Sequence, residues 1–287
     1  MGNPEYPAIS YGGYRMTSRE IQPTVEELKE DLRIIYAMGI RIIRTYNLQF
    51  PHASNILKAI SQLRAEDTSF EMYMMLGAWI DCANAWTDLP PNHDIEDEKN
   101  NASEIAKAIE FANKYPEIVK IIAVGNEAMV HWATPYFVKP EVVLKWVNYL
   151  QEQKTQGKLS EPLWITSSDN FASWGGGSAD YHNQDLEQLI AAVDYISMHT
   201  YPFHDTHYNS SFWLIPEDES TRSKLEKIDA AMVRAKSYAV SQYESVKAYM
   251  NALGIEKPIH IGETGWATTS QGLYGANGSF AADEYKQ

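Results

Sequence analysis

The chain has 287 residues, a formal net charge of −14 and an apolar content of 44%. That length suits one large α/β domain or two smaller ones. The acidic balance lacks the clustered Lys and Arg that phosphate backbones demand, which argues against nucleic acid and favours an uncharged ligand such as a neutral polysaccharide. The only cysteine, Cys82, excludes an intrachain disulfide, and no run of about 18 apolar residues marks a membrane span. Eight Trp and eighteen Tyr supply flat apolar faces with polar rims, which suit sugar rings.

Short apolar runs alternate with stretches of helical period. The first run covers 8–11 and ends in Gly12-Gly13. Val25, Leu28, Leu32 and Ile35 then share one helical face, opened by a Thr24/Glu27 capping box and stopped at Gly39. Run two is 40–46, followed by a helix through Ile56, Leu57, Ile60 and Leu63. Run three is 70–79, followed by a helix centred on Ile105, Ile109 and Ala112. Run four, 119–124, is almost wholly apolar, as a strand buried on both faces should be. A helix around Val143, Val147 and Leu150 follows. Run five is 163–167, with a short helix over 186–192, and run six is 193–201. In the longest helix, Leu225, Ile228, Met232, Ala235, Ala239, Tyr243, Val246, Met250 and Leu253 keep a 3.6-residue period up to Gly254. Run seven is 258–266, and a last helix-like segment starts near Ala281.

Alternating βα units mean a parallel sheet with helices outside it. An open doubly wound sheet and a closed (β/α)₈ TIM barrel both fit. Polar and aromatic residues mark the C-terminal ends of six runs: Tyr46-Asn47, Trp79, Asn126-Glu127, Asp169-Asn170, His199 to Tyr201, and Glu263. In a barrel all of these ends converge on one face, whereas in an open sheet only those at the crossover meet, so the spread favours the barrel. The expectation is a single barrel domain over 1–287.

Glu127 closes run four and Glu263 closes run seven. Either alone reads as a solvated loop residue. At strand ends four and seven of one barrel, the two face each other across the mouth. Glycoside hydrolysis needs such a pair: one carboxyl protonated to donate to the leaving oxygen, the other ionised. A separation of about 5–5.5 Å is then expected, as retention requires. Asn126 is placed to bond a substrate hydroxyl, and Tyr201, at the end of run six, to donate to Glu263 and keep it ionised.

Ala-Val-Gly-Asn-Glu (123–127), Arg-Thr-Tyr-Asn (44–47), His-Thr-Tyr-Pro (199–202) and Gly-Glu-Thr-Gly-Trp (262–266) resemble glycoside hydrolase family 17. The resemblance implies a retaining β-1,3-glucanase with Glu127 as acid/base, Glu263 as nucleophile, and Tyr46, Tyr201 and Trp266 lining the site. Long inserts at 81–101 and 203–220 resemble bacterial laminarin-degrading members. The implied partner is a β-1,3-glucan, with no cofactor and no metal, and the expected location is secreted, periplasmic or cell-surface. A β-1,3-glucanosyltransferase and a non-catalytic glucan-binding barrel are the alternatives.

Trp79, Trp132, Trp174 and Trp266 sit at or beyond strand ends, and at least two are expected to line the cleft, with Asp169 also bonding substrate. Trp174 opens a Trp-Gly-Gly-Gly stretch that reads as a flexible substrate loop. His199, His204 and His207 lie close in sequence, but their spacing fits no familiar zinc motif. Seven strands leave a barrel one short. A complementing C-terminal segment carrying the eighth strand is therefore expected, the alternative being an open barrel.

Overall fold

The computed structural model describes residues 3–205 and 216–265. Strands β1 (Ala8–Ser10), β2 (Ile42–Arg44), β3 (Tyr73–Ala78), β6 (Val119–Asn126), β7 (Trp164–Asn170), β8 (Ile196–His199) and β9 (Ile259–Glu263) form one sheet in that order. Every neighbouring pair is parallel. Between them run α1 (Val25–Ala37), α2 (His52–Glu66), α3 (Glu98–Lys114), α4 (Pro140–Thr155), α5 (Gln184–Ala192), the short α6 (Pro202–Asp205) and α7 (Lys224–Ala252). This is the TIM-barrel arrangement, carried by seven strands among the described residues. The segment near Ala281 lies outside them.

Strand alternation separates two cores. Met74, Leu76 and Ala78 of β3 and Ile122 and Val124 of β6 join the large cluster under the helices. Met75, Ile121 and Ala123, which alternate with them along the strands, point into the barrel and meet Tyr195. The sheet curls far enough for the Tyr195 hydroxyl to reach Met75 Sδ at 3.7 Å and for Arg44 on β2 to touch Glu263 on β9. β1 and β9 remain the two edges. A cavity of about 730 Å³ opens beside them, bounded by Ser10, Arg44, Tyr46, Tyr201 and Glu263.

The local signals act as their chemistry dictates. Thr24 and Glu27 cap α1 reciprocally, and Ser223 and Glu226 do the same for the 29-residue α7. Within the 81–101 insert, β4 (Cys82–Ala83) and β5 (Asn92–Glu96) pair antiparallel in a small ribbon. One expectation needs correction. The Trp-Gly-Gly-Gly stretch is not a flexible substrate loop. It is a tight turn over Ala172–Gly176 packed against α7. Gly175 adopts φ +85° under the ring of Tyr249, where a Cβ would fall 2.1 Å from a ring carbon. Trp174 is fully buried, its indole N–H donating to Ser197 O at 3.1 Å.

Candidate active site

The ends of β6 and β9 are both irregular, and the irregularity aims the glutamates. Pairing of β6 with β7 slips between Ala123 and Asn126. Gly125 has φ +80° there, and Glu127 itself has φ +46°, a region that non-glycine residues occupy only under constraint. The Glu127 N–H donates to Ser168 O at 2.9 Å, which fixes the turn. On β9, the register shifts so that His199 lies opposite Glu263. The shift leaves Gly262 tucked against Ser197 and Ser168, a bulge that re-aims the side chain after it.

Glu263 is held from several sides. Arg44 Nη1 donates to Oε1 at 2.6 Å and the Tyr46 hydroxyl to the same oxygen at 2.6 Å, while the Tyr201 hydroxyl donates to Oε2 at 2.9 Å. Burial pushes this carboxyl up, but His199, Arg44 and the two tyrosines outweigh it and hold it below the usual range. The effect is reciprocal: burial, with the neighbouring Glu263, pushes the Tyr46 hydroxyl up to about 12 and raises that of Tyr201, so both remain donors. Arg44 Nη2 donates to Asn126 Oδ1 at 2.5 Å, which leaves the Asn126 amide N–H groups directed elsewhere.

His199, wholly buried, bridges the pair. Its Nδ1 lies 3.1 Å from Glu127 Oε1 and 3.4 Å from Glu263 Oε2. An ionised carboxylate only accepts, so the Nδ1 position carries hydrogen to serve it. On the other side Nε2 lies 2.7 Å from Ser168 Oγ, which in turn lies 2.8 Å from Ser197 Oγ. His199 Nδ1 and one oxygen from each glutamate all fall within 4.8 Å of one another. The two carboxylates therefore lie close together, on either side of His199 Nδ1. A Cβ on Gly262 would fall 2.1 Å from Ser197 Oγ and 2.8 Å from Ser168 Oγ. We expect Gly262→Ala to destabilise the fold by about 1–3 kcal/mol and to lower kcat by up to about 10²-fold through a displaced His199. Thermal unfolding and steady-state kinetics on the same preparation check both.

The structure brings together Tyr46, Asn126, Glu127, Tyr201 and Glu263, but it does not place every candidate in the cleft. Asp169 is fully buried, with its oxygens taken by the N–H groups of Met129 and Asn170. Burial pushes its carboxyl up to about 7, and it organises the backbone after β6 instead of bonding substrate. Trp174 is likewise excluded by its burial. Trp79 is half-buried, its N–H donating to Asp81, and Trp132 is exposed on the loop after β6. Trp266 and His207 lie outside the described residues.

Sequence reasoning missed Arg44, assigned His199 no role beside the glutamates, and overlooked the aromatic pair Trp86 and Tyr136, stacked at 5.2 Å. The signal for the first two was present: a charged or titratable residue inside an apolar strand run, where burial without a partner is too costly to persist.

A family model for the BtgE/BtgC glycoside hydrolase domain matches residues 8–285. The chain belongs to this family. The crystal structure of an endo-laminarinase from Formosa Hel1_33_131 is 65% identical, with a TM-score of 0.96 over 99% of this chain and 72% of that one. CJP38, a β-1,3-glucanase and allergen of Cryptomeria japonica pollen, shares the fold at 13% identity, with a TM-score of 0.57 over 93% of this chain and 77% of that one. Among curated proteins none matches the chain. The family 17-type resemblance of the motifs agrees with these matches, and this glycoside hydrolase is an enzyme rather than a bare binding barrel. Among the described residues no helix is long and apolar enough to cross a membrane.

Proposed function

We propose that this glycoside hydrolase cleaves β-1,3-glucosidic bonds with retention of configuration, Glu263 acting as nucleophile and Glu127 as general acid and base. The observation that carries the reading is the asymmetry of two adjacent carboxylates. Glu263 is clamped in its ionised form by Arg44, Tyr46 and Tyr201, whereas the hydrogen-bond partner of Glu127 is His199. In the first step Glu263 forms a bond to the anomeric carbon as the glycosidic C–O bond breaks, and Glu127 delivers its proton to the departing oxygen. In the second, Glu127 takes a proton from water, the water oxygen bonds to the anomeric carbon, and the ester to Glu263 breaks. In this reading the Asn126 amide, its oxygen held by Arg44, donates to the sugar hydroxyl beside the reacting carbon, a bond that strengthens in the transition state. The close relation to an endo-laminarinase supports β-1,3-glucan as the substrate.

Incubation with laminarin beside mixed-linkage glucan tests the proposal. Laminarin is expected to yield short oligosaccharides whose new reducing ends are first released as the β-anomer. Release of the α-anomer first, or preference for contiguous β-1,4 links, overturns it. Longer products at high oligosaccharide concentration would reveal glucanosyl transfer, in which a sugar hydroxyl replaces water in the second step. Activity is expected to survive EDTA, because two carboxylates supply all the proton and covalent chemistry. Loss on chelation with recovery on adding zinc would contradict that account.

A further inference from the structure

The ribbon β4–β5 carries a tryptophan in an unusual state. Trp86 has φ +60°, and Asn84, two residues earlier, has φ +64°. A bulky residue stays in this region only where its surroundings over-determine it. The constraint here is Asp81. Its Oδ1 accepts the indole N–H of Trp86 at 3.3 Å and that of Trp79 at 2.5 Å. Asp81 is itself buried and clamped: its N–H donates to Asn101 Oδ1 at 2.9 Å, and its carbonyl accepts from Asn101 Nδ2 and the Asp97 N–H, each at 3.0 Å. The Trp86 ring stacks on Tyr136 with centroids 5.2 Å apart and planes 23° from parallel. The ribbon is tied to that loop by the Cys82 N–H, which donates to Tyr136 O at 3.2 Å.

Trp86 is nevertheless 62% exposed. One face of the indole is spent on Tyr136 and the N–H is turned inward to Asp81, so what faces solvent is the other, apolar face. Tyr136 links this face to the reaction centre. Tyr136 lies on the loop that follows β6 and Glu127, and Trp86 on the loop that follows β3, the strand paired with β6, so both stand at the barrel mouth where the glutamates sit.

We infer that Trp86, backed by Tyr136, is a stacking platform for a glucopyranosyl unit of the glucan lying beyond the two units that flank the scissile bond. The inference rests on the β-1,3-glucan reading above. The C–H face of a pyranose ring covers the free indole face, and the bond to Asp81 sets the pitch at which the chain leaves the cleft. Short substrates that end at the glutamates do not reach it.

Calorimetric titration of the Glu263→Gln protein, which binds without turnover, with laminaritriose and laminarihexaose tests the platform. Adding Trp86→Ala is expected to raise the Kd for the hexaose about tenfold or more, the scale of a buried aromatic anchor, and to change that for the triose far less. Trp86→Phe restores most of the hexaose affinity, since a ring remains. An unchanged hexaose Kd in Trp86→Ala overturns the platform. So does an equal loss for both ligands, which marks collapse of the ribbon. If the Trp86-bearing protein binds neither oligosaccharide, the glucan reading fails and the platform with it.

Discussion

Replacing Glu263 with alanine is expected to remove at least about four orders of magnitude from kcat, the scale at which loss of a covalent nucleophile acts. Replacing Glu127 is expected to cost about 10²–10⁴-fold, as for a general acid, and to depend on the substrate. With a dinitrophenyl β-laminaribioside the leaving group departs without a proton. Formation of the glycosyl ester on Glu263 then proceeds in Glu127→Ala, and its hydrolysis becomes limiting for want of a base. Azide, which needs no base, accelerates that second step and yields the β-glycosyl azide. In Glu263→Ala azide occupies the nucleophile's side and yields the α-glycosyl azide. The anomeric configuration by NMR thus assigns each carboxylate independently. The opposite pairing of variant and product would exchange the two roles.

The second large effect is expected at Arg44, 3% exposed. Arg44→Met removes the partner of a buried carboxylate, a change that costs about 3–5 kcal/mol because the remaining charge is uncompensated. It also frees Asn126, which Arg44 holds. In the wild type the Glu263 carboxyl lies below its ordinary value, so its contribution to stability is present above the unfolded value and is lost as pH falls through the folded one. Without Arg44 the pull weakens, with His199 and the two tyrosines left to oppose burial, and the carboxyl rises. Its stabilising contribution at neutral pH shrinks accordingly. The stability gap between the two proteins should therefore widen from pH 4 to pH 7 in urea titrations, and the acidic limb of kcat/KM should move to higher pH in the variant. A gap independent of pH with an unmoved limb would reduce Arg44 to a space-filling role.

The sequence by itself determined the order of strands and helices, because apolar period and capping chemistry act over a few residues. The Thr24/Glu27 box and the buried run of β6 were legible for that reason. It also determined that Glu127, Glu263, Tyr46 and Tyr201 stand at strand ends, and parallel βα topology alone brings such ends to one mouth. The tertiary structure decided everything that depends on closure across the barrel. Arg44 and Glu263 are 219 residues apart, and no local pattern encodes which face of β2 meets β9. His199 became a bridge between the carboxylates only once bulges at Gly125 and Gly262 fixed the register. Trp174 and Asp169 sit at strand ends like the others, yet the close approach of α7 and the backbone after β6 buries both. Strand position fixes where a residue begins its path, and the packing of distant elements fixes whether its side chain ends in the cleft or in the core.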